Sequence, residues 1–372
     1  MKHEAAICSY ALTPTSRAKR DRLEETLSSE EYLGRVFEDL MEKSGLEMKE
    51  VDGQGLAVSG MVTPHSDIWT SEVAQLLGVR PKWLIASDHG GASGLNMVAQ
   101  SILAVETGVV DLVVCLGVDA PLSASDYSLV STGCIRDYEN PSGIMGPNSM
   151  FAFIMRRHME QYGTTVEQIG KIAVEQRKNA LRNPLAYMKK ELTIDDYLSS
   201  KLISDPIKLL DCCLPVNQGL GLVIANSKLS KRITDKPVYL VGFEERDAYY
   251  HGDIMTPDIT YTGIADASRA IFQGEKKMSI RDMDFAQMYD DYCIAVIMQL
   301  EDLGFCEKGK GGEFVERHSL ASDGDLPVNT GGGQLSSGQP GLAGGFVPVV
   351  EAVMQLRREA GNRQVRNAKK GC

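Results

Sequence analysis

The chain has 372 residues, 43% of them hydrophobic and 24% charged, enough apolar mass for two or three packed domains. A formal net charge of -11 argues against a nucleic-acid surface, which needs clustered Lys and Arg. It leaves room for an anionic ligand held at a helix N-terminus. The eight cysteines include no C-x-x-C pair, so neither a zinc site nor a disulfide framework is expected, and no metal ligands are assigned. The first ten residues lack the basic start and long apolar core of a signal peptide. The longest apolar runs, such as residues 109–118, fall short of the roughly 18 residues a membrane helix needs, so a cytoplasmic location is expected.

In chain order, residues 5–11 read as a strand. Residues 29–44 carry Tyr32, Val36, Phe37, Leu40 and Met41 at helical spacing. Residues 55–59 read as a buried strand, 71–77 as a helix and 83–87 as a short strand. That strand runs into Asp88-His89-Gly90-Gly91, after which a helix is predicted from residue 92 to about 107 and a strand over 111–116. Alternation of strand and helix favours an α/β sheet protein.

From about residue 121 to 208 the pattern turns mostly helical, with helices over 149–162 and 166–180, and reads as an insert. Strands return at 220–225 and 238–242. A helix over 264–272, a strand over 285–288, a helix over 294–303 and a glycine-rich turn into a helix over 341–360 loosely repeat the first half. Two halves are therefore expected, 1–230 with its insert and 231–372.

Four stretches carry chemistry. The first is Asp88 to Gly94 at a strand-to-helix junction, where backbone N–H groups at a helix N-terminus can receive an oxyanion or a thioester oxygen. The second runs from Met159 through Tyr162-Gly163-Thr164-Thr165 to Arg177, Asn179 and Asn183-Pro184. The third is Met288-Tyr289-Asp290-Asp291-Tyr292, followed by Glu301-Asp302-Leu303-Gly304-Phe305-Cys306 and the glycines 309, 311 and 312. The fourth runs from Asn329-Thr330-Gly331 through Ser337-Gly338-Gln339-Pro340-Gly341 to Gly345.

In this order and at these separations the stretches resemble the thiolase superfamily, and within it the sterol-carrier-protein type, over residues of about 5 to 366. The resemblance implies two similar five-stranded α/β halves stacked face to face, with a helical loop domain inserted in the first. It also implies a homodimer and, as substrate, an acyl-CoA thioester, with coenzyme A as the carrier and no covalently bound cofactor. In the family a last strand follows the position of residue 366, so this strand is apparently missing from a chain that ends at Cys372.

Carried over position by position, the family's nucleophilic cysteine falls on Gly91. Glycine cannot form an acyl-thioester, although its N–H can still serve an oxyanion hole. Tyr289 stands at a histidine position, Asp291 at a cysteine or alanine position, and Gln339 at the histidine of a Gly-His-Pro element. Loss of a side chain at Gly91 and of the histidine at Gln339 therefore argues strongly against an ordinary Claisen cleavage. A retro-aldol cleavage beside a CoA thioester needs only a base and an enolate hole, and Tyr289, Asp291 and Gln339 are the candidates for it.

The sequence is similar in this respect to the cysteine-less thiolase-like aldolases, which work with a small zinc-ribbon plus OB-fold partner that helps bind acyl-CoA. A non-catalytic subunit of a thiolase complex, and an acyltransferase with its nucleophile from elsewhere, are the alternatives. Plainer readings stay open: Tyr289 as a core aromatic, Asp290 as a structural residue, Asp291 as a loop tether, Asp88 and His89 as turn residues rather than pocket walls, and Cys115 and Cys293 as small core residues.

Overall fold

The computed structural model describes residues 4–17, 27–60, 68–121, 137, 140–144, 146–246, 258–273 and 278–372. The first half contains β1 (Ala5–Leu12), α1 (Ser29–Ser44), α2 (Met48–Val51), β2 (Gly55–Gly60), α3 (Trp69–Leu76), β3 (Trp83–Ser87), α4 (Ser93–Glu106) and β4 (Leu112–Asp119). The insert carries α5 (Pro147–Tyr162), α6 (Val166–Leu181), α7 (Ile194–Leu198) and a ribbon of β5 (Leu202–Ser204) and β6 (Ile207–Lys208). After it come β7 (Gln218–Asn226), α8 (Ser227–Ile233), α9 (Ile264–Phe272), α10 (Cys293–Leu303), α11 (Gly311–Arg317) and α12 (Val347–Leu356).

Five strands form a mixed sheet in the order β1-β7-β4-β2-β3. β2 runs parallel to both β3 and β4, while β7 runs antiparallel to β4 and β1. Period-2 alternation along β4 sorts its side chains onto two cores. Leu112, Val114, Leu116 and Val118 share one core with Leu33, Val36 and Leu40 of α1. Val113 and Cys115 share the other with Met97 and Ile102 of α4 and with Val350 and Val353 of α12. Burial on both faces explains why β4 reads as a continuous apolar run. α1 begins at a capping box of Ser28 and Glu31 and ends on Gly45, whose φ of 64° suits a residue without a Cβ.

The insert packs on the second half through a third core that joins Met155 of α5, Ile169 and Ile172 of α6, and Ile294 and Ile297 of α10. Within it a fully buried His158 places Nε2 3.1 Å from Glu301, and its Nδ1 lies 2.9 Å from the Thr164 hydroxyl. Glu301 also accepts the Gly311 N–H at 2.8 Å and lies 3.3 Å from Lys308 Nζ. Residues 122–136, 138–139 and 145 of the expected insert lie outside the described residues.

Three expectations need correction. The predicted strand over 238–242 is not one, because a single antiparallel bridge, Ile7 to Val238, is the pairing it finds among the described residues, and Tyr239, Leu240 and Val241 are exposed. The predicted strand over 285–288 is extended but held by isolated parallel bridges, Phe285 to Gly371 and Ala286 to Val328. The second half thus forms no regular five-stranded ladder among the described residues. The Lys370 and Cys372 carbonyls do accept the Asp284 and Gln287 N–H groups. Finally, the helix expected over 341–360 starts as a 3-10 turn, Gly341–Phe346, continues as α12 only to Leu356, and is followed by Arg358 at a left-handed φ of 61°.

Candidate functional site

Gly91 lies in the turn between β3 and α4, beyond the carboxyl end of a parallel strand, where open α/β sheets place ligands. The turn is tied by its serines. Ser93 Oγ accepts the His89 N–H at 2.8 Å and donates to the Gly90 carbonyl at 2.7 Å, while Ser87 Oγ donates to the Ser93 carbonyl at 3.0 Å. The glycine-rich segment packs directly on this turn. A Cβ on Gly345 would lie 2.0 Å from the Gly91 carbonyl oxygen, and one on Gly94 would lie 2.6 Å from the Gly345 backbone. Only glycine allows that approach. At the end of β4, the buried Asp119 carboxylate accepts the Leu342 N–H at 3.0 Å and so anchors the segment to the sheet.

Tyr289 closes the other side. A Cβ built on Gly91 would sit 2.5 to 2.7 Å from Tyr289 ring carbons, so the ring fills the volume that a side chain at position 91 would take. The Tyr289 hydroxyl accepts a hydrogen bond from Gln339 Nε2 at 2.8 Å. Its carbonyl accepts from Gln299 Nε2 of α10 at 2.7 Å. Gln339 is held by backbone bonds on both sides, its N–H to Leu214 at 2.7 Å and its carbonyl from Val216 at 3.0 Å. Cys213 completes the group: its Sγ donates to Gln339 Oε1 at 2.9 Å and its N–H to the Asp291 carbonyl at 2.8 Å. Gly91, Tyr289, Asp291, Gln339 and Cys213 are all half-buried.

The electrostatics divide the group by role. Burial and the neighbouring Asp291 push the Tyr289 phenol above its ordinary value, partly offset by the Gln339 bond, so it is a proton donor at neutral pH. Loss of water pushes Asp291 up to about 7, although the N–H groups of Tyr292 and of Asp291 itself pull it back. That value places a group able to take or give a proton at neutral pH. Burial also raises Asp290, to about 8, but its carboxylate is committed to the Gln334 and Leu335 N–H groups at 2.8 and 3.2 Å. Asp290 therefore shapes the loop that precedes Gln339.

The structure brings together Gly91, Tyr289 and Gln339, with Asp291 one residue beyond Asp290 on the same loop. Asp88 and His89 are exposed; the His89 backbone N–H donates to Ser93 Oγ, and its Nδ1 lies 3.5 Å from Ser87 Oγ. Cys213, Gln299 and Asp119 belong to the arrangement without having been marked in the sequence. Cys213 lies 126 positions from Gln339, so no local spacing signals it. Among the described residues no group of three His, Cys, Asp or Glu could hold a metal ion, and no helix is long and apolar enough to cross a membrane.

Residues 248–372 match the family described as Thiolase C-terminal domain-like. The chain is 33% identical over 339 residues to the acetyl-CoA acetyltransferase of Methanothermobacter thermautotrophicus, covering 89% of this chain and 86% of that protein. It is 29% identical over 380 residues to the steroid side-chain-cleaving aldolase of Thermomonospora curvata, covering 96% and 92%. Among solved structures, the Ltp2-ChsH2(DUF35) aldolase superposes with a TM-score of 0.83 at 26% identity, covering 99% of this chain and 94% of that one. With its five-stranded α/β sheet, its glycine-tied turn and these relatives, the chain belongs to the thiolase superfamily.

Proposed function

We propose that the protein is an acyl-CoA lyase of aldolase type, which cleaves or forms a C–C bond beside a CoA thioester without a covalent acyl-enzyme. The observation that carries this reading is the Tyr289 ring packed into the space beside Gly91, with its hydroxyl free to donate because Gln339 supplies the other hydrogen. In the cleavage direction the substrate is a β-hydroxyacyl-CoA. Asp291 takes the β-hydroxyl proton, the alkoxide collapses to a carbonyl, and the Cα–Cβ bond breaks. Its electron pair passes into the thioester enolate. The Tyr289 hydroxyl and the Gly91 N–H stabilise that enolate oxygen, and protonation at Cα releases the shortened acyl-CoA.

The acyltransferase alternative needs a thiolate. The thiols of this region are pushed the other way: burial raises Cys212 to about 12, and burial with the Asp291 charge raises Cys213. Similarity to an aldolase structure whose name joins two proteins supports a partner chain for this protein as well, and the small zinc-ribbon/OB-fold acyl-CoA-binding protein is the kind of partner that the family resemblance implies. A homodimer is supported by the edge strand β3 and by Leu76, Leu95 and Leu103, which are exposed at 60, 56 and 49%.

The test is purification with the native partner and incubation with β-hydroxyacyl-CoA thioesters, with products and intact protein followed by mass spectrometry. Aldehyde or ketone plus shortened acyl-CoA, with no mass added to the protein, is the expected result. A stable acyl adduct on the chain would favour the acyltransferase. No turnover with the partner present would favour a non-catalytic subunit.

A further inference from the structure

The Gln339 amide can face the Tyr289 phenol with either end, and the two choices have opposite consequences. With Oε1 toward the phenol, Tyr289 donates its single proton to the protein and none is left for a ligand. With Nε2 toward it, the phenol oxygen accepts and its own proton points away from Gln339. The group on the far side of the amide decides. That group is Cys213, whose Sγ lies 2.9 Å from Gln339 Oε1. A thiol is a weak donor and a weak acceptor; here its S–H lies on Oε1, and that pairing leaves Nε2 turned toward Tyr289. Burial and the nearby Asp291 charge keep this thiol protonated, and hence a donor. Backbone bonds from Cys213 to Asp291, from Gln339 to Leu214 and from Val216 to Gln339 hold the three segments in register, at 2.8, 2.7 and 3.0 Å. The amide is then free to respond only at its side chain.

We propose that Cys213 is a positioning residue of this site: its S–H fixes the direction of the Gln339 amide, and through it commits the Tyr289 hydroxyl proton to the substrate. This rests on the lyase reading for its consequence in turnover, but its structural half does not. The relay runs from S–H to Oε1 and from Nε2–H to the phenol oxygen, and ends on the phenolic O–H.

The experiment compares wild type, Cys213→Ser and Cys213→Ala, each with the native partner. Serine keeps a donor at this place and alanine removes it, while both are smaller than cysteine. With Ala, kcat for β-hydroxyacyl-CoA cleavage is expected to fall by roughly tenfold with KM little changed, and with Ser to stay within about threefold of wild type. A volume role would move both variants alike. In parallel, difference Raman spectra of the tyrosine Fermi doublet, with Tyr289→Phe identifying the band, report whether the phenol accepts or donates. Ala should shift that doublet and Ser should restore it. Unchanged spectra in Ala, full kcat in Ala, or equal losses in Ala and Ser would each overturn the assignment. Absence of turnover in the wild type would sink the lyase reading alone, and the spectra would still decide the role of Cys213.

Discussion

The ring of Tyr289 stands where a side chain on Gly91 would stand, with Cζ 2.5 Å from the position of a Cβ at 91. The absence of a thiol and the presence of a tyrosine are therefore one packing solution. Restoring the cysteine alone puts two groups in one volume. Gly91→Cys is expected to cost about 1–3 kcal/mol of stability through overpacking. It should also give no acyl-cysteine with acyl-CoA. Urea unfolding and intact-protein mass measure the two halves, and a Gly91→Cys variant that is acylated and of undiminished stability would refute the shared-volume account.

Tyr289→Phe keeps the ring and deletes the donor. If the hydroxyl stabilises the enolate oxygen, kcat for β-hydroxyacyl-CoA cleavage should fall by about a hundredfold or more. KM should change little, and folding stability should fall by about 1 kcal/mol, the cost of the Gln339 bond that the hydroxyl accepts. Steady-state kinetics beside a denaturation curve separate the effects. Full turnover in this variant would remove Tyr289 from the mechanism.

Asp291 links stability and activity to pH in opposite senses. Its carboxyl sits near 4 in an unfolded chain and is raised to about 7 in the fold. Between those values the folded state holds the extra proton. The stabilising contribution is complete below about pH 4 and is lost as pH climbs through about 7, at up to ~1.4 kcal/mol per pH unit. As a base, the same group should raise kcat/KM with pH through that value. Asp291→Asn is expected to flatten the stability slope, raise stability at pH 8 relative to wild type, and remove the rising limb of the rate profile. Urea unfolding at pH 5.5 and pH 8, with matched rate profiles, checks each sign.

The His158–Glu301 contact at 3.1 Å shares no hydrogen bond with Tyr289, Gln339 or Cys213 among the described residues and holds the insert to the second half. Glu301→Ala would orphan the Gly311 N–H and leave Lys308 with Asp302 as its carboxylate partner, at 2.8 Å. A loss of about 3 kcal/mol is expected, since one member of a buried polar cluster is removed. Turnover per folded molecule should be preserved. A variant as stable as wild type would show the cluster to be dispensable.

Local pattern was enough for the first half. The helical spacing of Tyr32, Val36, Phe37 and Leu40 and the apolar run of β4 encode burial directly, and both elements form where they were expected. Residues 238–242 misled for the converse reason. Apolar composition states that a segment can pair, but a ladder also needs a neighbour, and among the described residues the neighbour is Ile7 alone. At the site, Gly91, Tyr289 and Gln339 were visible because each replaces a residue of known chemistry within a motif. Cys213 was not, because its partner is 126 residues away and nothing near it marks a site.

The sequence by itself determined the chemistry that is absent: a hydrogen atom at position 91 rules out an acyl-enzyme there whatever the fold does. It also determined which polar groups were available, since the stretches that resemble the thiolase motifs carry a phenol, an amide and a carboxyl at Tyr289, Gln339 and Asp291. Only the tertiary structure decided how they are used. The direction of the Gln339 amide, the rise of Asp291 to about 7 and the fit of a ring against a glycine depend on distances between distant segments and on the water they exclude. Neither distance nor solvation is a property of any one stretch of chain.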